Sequence, residues 1–268
     1  MPITCPVKIR PLSQDAFHRL DYAVMEHAFA CHNALGRFCD EAIYQTDLAS
    51  RLEAAGLGQV RTEVPVRVSW QAFSKTYSLD LVVQDAGVYE LKADACLVGE
   101  HDAQLLNYLL LLGLNHGKLL NFGPPSVEWR FISTSLTPEK RRAFSFNERF
   151  WTEVSPECRR LHEILGELLA DWGAFLELGL YREALTFFLG GAESVIQRIA
   201  LARDGMALGT QRLHMHSPSA AFILTATTEH QARVESHLRR FLTHAPLRAL
   251  QWINFNHFQI ELSTLLQK

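Results

Sequence analysis

Two apolar runs joined by a polar turn occur at residues 78–93, Ser78-Leu79-Asp80-Leu81-Val82-Val83-Gln84-Asp85-Ala86-Gly87-Val88-Tyr89-Glu90-Leu91-Lys92-Ala93. Short apolar runs on either side of turn residues are typical of buried β-strands that pair as a hairpin. Asp80 lies inside the first run, where a carboxylate is costly to bury unless it is paired or binds a metal ion. Glu90 and Lys92 are two residues apart, so they share one face of the second strand.

This predicted hairpin would bring Asp80 beside Glu90, so that two carboxylates and one lysine share a single patch. Carboxylates hold Mg²⁺ through hard oxygen ligands, and a bound metal ion polarises a phosphate and helps to generate hydroxide. A nearby ammonium can orient the attacking water and offset phosphate charge. The patch predicts metal-assisted hydrolysis of a phosphodiester, although a Glu-x-Lys pair taken alone is more simply explained as a surface ion pair.

The segments around the hairpin alternate between helical and strand periodicity. Two helices and a strand with alternating valines are predicted before it, and one helix and two strands are predicted after it. The predicted helices cover residues 14–34, 38–55 and 100–112, and the predicted strands cover 60–70, 76–83, 87–93, 118–122 and 127–133. Strands interrupted by a single helix favour a mixed α/β sheet.

A polar, turn-rich segment at residues 134–155 is typical of a linker or the start of a short helix, and the same order of elements then begins again. Helical patterns cover residues 158–189 and 231–243, and strand patterns cover 194–203, 206–214, 220–226, 250–255 and 258–264. We therefore predict two domains, residues 1–135 and residues 136–268.

Some residues repeat between the two halves as well. Asn121-Phe122 is matched by Asn254-Phe255, 133 residues later, and Leu35-Gly36 has a counterpart in Leu178-Gly179. These matches favour a second half that is a degenerate duplicate of the first. The alternative is that two α/β segments of similar length share leucine-rich patterns by chance.

One helical segment resembles a known motif. Residues 31–44, Cys31-His32-Asn33-Ala34-Leu35-Gly36-Arg37-Phe38-Cys39-Asp40-Glu41-Ala42-Ile43-Tyr44, resemble the helix that gives the GxxExxY proteins their name. These proteins are a branch of the PD-(D/E)XK nuclease superfamily. The glutamate of the motif corresponds to Glu41 and its tyrosine to Tyr44. Phe38 stands where the family has glycine, which puts a backbone contact at the helix start in doubt rather than the metal site.

Further family features follow in the expected order. Asp80 matches the metal-binding aspartate, and Glu90-Leu91-Lys92 matches the Glu-x-Lys core. Gln104 and Tyr108 form the Gln-x-x-x-Tyr pattern of RecB-like nucleases, and their spacing places them on one helical face. Asn121-Phe122-Gly123 matches the end of the next strand. The resemblance covers residues 14–133, about half of the chain.

The resemblance implies a restriction-endonuclease-like core with the element order αβββαβ. It also implies a nuclease that depends on Mg²⁺ or Mn²⁺, in which Asp80, Glu90 and Glu41 bind the metal ion and act in catalysis. Lys92 would position the attacking water. The supporting residues that it implies are Gln104, Tyr108 and Tyr44.

The second half lacks these residue types at the matching positions. At offsets of 133 or 134 residues, the pairs are Asp80 with His214, Glu90 with Ile223 and Lys92 with Thr225. We therefore expect no catalysis in the second half, which could serve as a substrate clamp, a dimer surface or a buttress. His214 and His216 are spaced as two ligands of a metal ion, but no third ligand is evident.

The composition limits the classes of protein that fit. Of the 268 residues, 48% are hydrophobic and 21% charged, as in ordinary globular proteins. The five cysteines form no Cys-x-x-Cys, which argues against a disulfide framework or a thiolate metal site. No apolar run reaches the roughly 18 residues of a membrane span. The first residues lack a signal-peptide pattern, which predicts a cytoplasmic protein.

These observations lead to one main hypothesis and two alternatives. The main hypothesis is a Mg²⁺-dependent nuclease that acts on DNA in preference to RNA, and a homodimer is compatible with the sequence. The net charge of −3 is unusual for a nucleic-acid binder. This charge and the altered second half favour the first alternative, a non-catalytic nucleic-acid-binding or assembly module. The second alternative is a regulatory or scaffold protein whose acidic patch is structural.

Overall fold

The computed structural model describes residues 2–267 and divides the chain into two compact units, residues 1–137 and residues 138–268. Each unit is built around its own six-stranded sheet. Both sheets contain parallel and antiparallel neighbours, which confirms the mixed α/β class predicted from the sequence. Between residues 2 and 267, no helix is both long and apolar enough to cross a membrane.

The first unit combines three helices with a sheet whose strands lie in sequence order. Its helices are α1 (Gln14–Leu35), α2 (Glu41–Ala54) and α3 (Gly99–Leu112). Its strands are β1 (Ile3–Thr4), β2 (Val60–Trp70), β3 (Phe73–Val83), β4 (Gly87–Lys92), β5 (His116–Asn121) and β6 (Glu128–Ser133). β4 and β5 are parallel because α3 carries the chain back between them, and all other neighbours are antiparallel.

The two faces of the first sheet bury different side chains. The core between the sheet and helices α1 and α2 includes Phe17, Val24, Leu48, Leu81, Tyr89 and Leu91. Because successive strand residues point to opposite faces, Tyr89 and Leu91 direct Glu90 and Lys92 to the other face. α3 covers that face, since a side chain added at Gly117 would meet Leu105 and Leu109 at 3.1 and 3.2 Å.

The second unit contains five helices and six strands among the described residues. Its helices are α4 (Pro138–Arg142), α5 (Pro156–Trp172), α6 (Leu178–Phe188), α7 (Ala192–Val195) and α8 (Gln231–Leu242). Its strands are β7 (Ser145–Phe150), β8 (Ile196–Arg203), β9 (Met206–Ser217), β10 (Ala220–Thr225), β11 (Ala249–Asn256) and β12 (Gln259–Leu266). The sheet order is β7-β12-β11-β10-β9-β8, and β10 and β11 are parallel.

Two predictions for the second unit were wrong in detail. The segment 134–155 is not only a linker, because it contains α4 and the edge strand β7, which pairs with β12. The helical pattern of residues 158–189 is two helices rather than one. Gly173 ends α5 with a φ of 75°, a left-handed conformation that favours glycine.

The two units share one order of strand pairing. β8, β9, β10, α8, β11 and β12 repeat the pairing of β2, β3, β4, α3, β5 and β6. Tyr44 donates a hydrogen bond to the carbonyl of Gly36 at the end of α1, and Tyr181 does the same to Gly173 at the end of α5. The counterpart of Gly36 is therefore Gly173, and the sequence match to Gly179 was wrong.

An asparagine network repeats in the same way. Asn121 accepts a hydrogen bond from the backbone of Asp94 at 3.0 Å and donates to Glu128 at 3.1 Å. Asn254 accepts from the backbone of Thr227 and donates to Glu261, residues that follow Asp94 and Glu128 by 133 positions. These contacts support the duplication, which stays a prediction.

Candidate functional site

The site begins where β3 and β4 separate. Their pairing runs as far as Leu81 and Tyr89 and stops before Asp80. The backbone N–H of Leu91 donates instead to the Asp80 carboxylate, at 2.7 Å from Oδ2. A buried N–H needs an acceptor, so this side chain replaces a strand partner. Asp80 is thereby fixed beside Glu90, as the predicted hairpin required.

Lys92 lies at the centre of an acidic cluster. Its Nζ donates to Oε1 of Glu90 at 2.8 Å and to the carbonyl of Leu91 at 2.7 Å. The same nitrogen is 3.7 Å from Oε2 of Glu41 and 3.8 Å from Oδ2 of Asp80. The four residues predicted to be catalytic therefore surround one point, although they come from three elements and span more than fifty positions of sequence.

Glu41 reaches this point because the start of α2 is held in place. It is the first residue of α2, and Tyr44 lies one turn later on the buried side of the helix. The Tyr44 hydroxyl donates to Gly36 at 2.8 Å and accepts from the backbone N–H of Cys39 at 3.2 Å. Its ring stacks on Phe122 with 4.7 Å between centroids. Tyr44 thus anchors the connection between α1 and α2.

Burial makes the cluster electrostatically demanding. The side chain of Glu90 is 1% exposed, and its Oε2 has no hydrogen-bond partner among the described residues. Burial, reinforced by the Asp80 carboxylate, raises the pKa of Glu90 to about 8. Burial also raises the pKa of Asp80 and that of Glu41. Burial opposes the Lys92 ammonium, but the surrounding carboxylates outweigh it and raise the pKa of Lys92.

The donor set suits a divalent cation of the Mg²⁺ or Mn²⁺ type. Within residues 2–267, no three His, Cys, Asp or Glu side chains are already gathered as metal ligands, because the Lys92 ammonium lies among the carboxylates. The unpartnered Oε2 of Glu90 is nevertheless a buried anionic oxygen that requires a cation or a proton. Oxygen ligands of this kind are those that Mg²⁺ prefers. Asp80, Glu90 and Glu41 therefore fit such an ion chemically.

Gln104 and Tyr108 occupy one face of α3, as their spacing predicted. The Gln104 amide donates to the Tyr108 hydroxyl at 2.9 Å. The Tyr108 ring meets the ring of Tyr77 edge to face, with 5.7 Å between centroids. The hydrogen bond of Gln104 thus goes to its neighbour on the helix rather than to a carboxylate of the cluster. The supporting role of both residues stays a prediction.

Two residues beside the cluster were missed by the sequence analysis. Gln45 donates to the backbone carbonyl of Asp80 at 2.9 Å and to Glu63 at 2.7 Å. Its position four residues after Glu41 could have revealed it, because such residues share a helix face. Glu63 also accepts a hydrogen bond from Ser78 at 2.6 Å. It interrupts the pairing of β2 with a φ of 50°, for which the sequence carries no signal.

The second unit carries no equivalent cluster among its described residues. The strand register places Leu213 at the position of Asp80, because Leu213 lies next to Ile223 just as Asp80 lies next to Glu90. The match of Asp80 to His214 was therefore wrong by one residue. Neither Leu213 nor Ile223 can bind a metal ion. In the described part of the chain, no third side chain joins His214 and His216 as a metal ligand.

Comparison with known proteins gives one match. Residues 18–132 match the model of the PD-(D/E)XK nuclease superfamily, and this range contains all four residues of the cluster. No curated protein and no solved structure matches the chain. The superfamily predicted from the sequence is therefore confirmed for the first unit. The narrower GxxExxY assignment stays a prediction.

Proposed function

Because residues 18–132 belong to the PD-(D/E)XK nuclease superfamily, we propose that the first unit is a Mg²⁺- or Mn²⁺-dependent nuclease that hydrolyses phosphodiester bonds. The observation that carries this proposal is the meeting of Glu41, Asp80 and Glu90 around the Lys92 ammonium, at 3.7, 3.8 and 2.8 Å. DNA is favoured over RNA as the substrate by the resemblance alone. A cytoplasmic location and a homodimer remain parts of the same proposal.

The proposed roles follow from position and charge. Asp80, Glu90 and Glu41 would hold the metal ion through their carboxylate oxygens. When bound, such an ion supplies charge stabilisation at the phosphate and a more acidic water. Lys92 would donate a hydrogen bond to the attacking water and offset the negative charge that develops on the phosphate. The Asp80 carboxylate is kept in place meanwhile by the N–H of Leu91.

The residues behind the cluster would act by positioning. Gln45 links the backbone of Asp80 to Glu63, which keeps α2 and β3 in register. Tyr44 fixes the start of α2 and therefore the direction of Glu41. Neither residue needs to touch the substrate for its loss to slow the reaction, since small displacements of catalytic groups reduce rates strongly.

Cleavage by paired variants tests this proposal. We expect Asp80→Asn and Lys92→Ala each to lower metal-dependent cleavage at least about a hundredfold, as loss of one stabilising group commonly does. Asp21→Asn and Lys118→Ala are the matched controls, because Asp21 and Lys118 form a buried ion pair in the same unit at 2.5 Å. The controls should stay active once folded. Full activity in both site variants would refute the assignment.

The main alternative is a nucleic-acid-binding module that does not cut. It is favoured by the direct contact of Lys92 with Glu90, an ion pair that can be purely structural. It predicts nucleic-acid binding that is equal with EDTA and with Mg²⁺, and no cleavage under either condition. A nuclease predicts cleavage with the metal ion only.

A further inference from the structure

A pocket of about 470 Å³ opens in the second unit beside β9 and β10, between α6 and α8. This is the place in the repeated topology where the first unit holds its acidic cluster. Such a volume lies within the range of small-ligand sites. Its lining includes Arg182, Arg212, Leu213, Ile223, His237 and Phe241.

The floor of the pocket matches the metal-binding positions of the first unit. The strand register equates Leu213 with Asp80 and Ile223 with Glu90. Both side chains are apolar and partly exposed. The second unit has therefore kept the surface but replaced its two buried acids with hydrocarbon, so no metal ion is needed to occupy it.

The walls of the pocket match the neighbours of the acidic cluster. Arg182 follows Tyr181 as Gln45 follows Tyr44, and these tyrosines make the same hydrogen bond in the two units. The α8 positions that follow their α3 counterparts by 133 residues include His237 for Gln104 and Phe241 for Tyr108. Cationic or basic groups have thus replaced two neutral amides.

The charge of the pocket is positive. None of its lining residues is an aspartate or a glutamate. Arg182 and Arg212 are exposed, and within residues 2–267 neither takes part in an ion pair. Burial and then these two guanidinium groups lower the pKa of His214, which shows that both lie close enough to act on the same ring. An anion would therefore be attracted here.

We propose that this pocket binds one nucleotide of a single-stranded nucleic acid, with the phosphate held by Arg182 and Arg212 and the base lying over Leu213, Ile223 and Phe241. Guanidinium groups pair well with phosphate oxygens, and aromatic and apolar surfaces accept any base by stacking. The choice of nucleic acid rests on the proposed function of the first unit. In this role the second unit is a clamp that holds the strand without cutting it.

The test is binding without metal. Fluorescence anisotropy of a labelled single-stranded 12-nucleotide oligothymidine would be measured in EDTA at low salt, with the full chain. We expect Arg182→Glu with Arg212→Glu to weaken binding at least about tenfold relative to Arg203→Glu with Arg233→Glu. This control pair makes the same charge change at exposed arginines that do not line the pocket. Loss of two phosphate contacts should also lower the salt slope by about 1.4.

Two further arms separate the clamp from the nuclease. Phe241→Ala should weaken binding at least about fivefold, as loss of one stacking platform does, whereas Lys92→Ala should bind like the wild type. Unlabelled thymidine monophosphate should compete only weakly. Equal affinities in the pocket and control pairs would overturn the clamp, and so would competition by the mononucleotide as strong as by the oligonucleotide. Cleavage by the first unit enters none of these measurements.

Discussion

Replacing Lys92 with methionine keeps most of the side-chain volume but removes the ammonium from among three carboxylates. The shortest carboxylate interaction that this change removes is the 2.8 Å hydrogen bond to Glu90, whose side chain is 1% exposed. Removing one partner of a buried ion pair typically costs about 3–5 kcal/mol, because the other charge is left without compensation. We expect the lower end, about 3 kcal/mol in EDTA, since Glu90 can take up a proton.

A metal ion should restore much of this loss. With Lys92 absent, the three carboxylates face only one another, so binding of Mn²⁺ should stabilise the variant more than the wild type. At a hundredfold excess over its Kd, a ligand stabilises the folded state by about 2.7 kcal/mol. Urea unfolding followed by circular dichroism would measure this, because a loss of about 3 kcal/mol lowers the midpoint by about 1–2 M.

Lys118→Met is the matched control for this measurement. Lys118 is buried and pairs with Asp21 at 2.5 Å, but no metal role is proposed there. It should lose comparable stability in EDTA, and Mn²⁺ should restore none of it. The proposed metal site is refuted if Lys92→Met loses less than about 1 kcal/mol in EDTA, or if Mn²⁺ stabilises both variants equally.

Three other predictions concern stability and positioning. Burial lowers the pKa of His216 to about 4, so the folded state should lose about 3 kcal/mol as the pH falls from about 6.5 to about 4.5, whereas His216→Leu should lack this component in urea titrations at each pH. A side chain at Gly123 would collide with the backbone carbonyl of Asp94, so Gly123→Ala should lower kcat at least about tenfold, whereas Gly99→Ala, which meets nothing within 4 Å, should not. Tyr44→Phe removes one buried hydrogen bond and should cost about 1 kcal/mol in urea unfolding; an unchanged midpoint would contradict the anchoring role.

Local patterns were enough to predict the core of the first sheet. The alternation of Val64, Val66 and Val68 predicted β2 with the bounds Val60–Trp70 that the structure has. The approach of Asp80 to Glu90 followed from strand geometry and one turn. The addition of Glu41 depended on the family resemblance, because no periodicity says where the start of α2 points.

Other features depend on long-range contacts that leave no local signal. β7 is an exposed edge strand with a polar sequence, and it forms because β12 offers a parallel partner. The shift from His214 to Leu213 appears only in the strand register, since the bulge near Ala220 changes the offset. Tyr181 and Gly173 carry the repeat through a side-chain hydrogen bond, which a comparison of neighbouring letters does not detect.

The most direct test of the proposed nuclease activity is an incubation of the wild-type protein with single-stranded DNA, double-stranded DNA and RNA, each with Mg²⁺, with Mn²⁺ and with EDTA. The acidic cluster around Lys92 predicts cleavage of at least one substrate with a metal ion and none with EDTA. Cleavage that persists in EDTA, or intact substrates throughout with a folded protein, would contradict a metal-dependent nuclease.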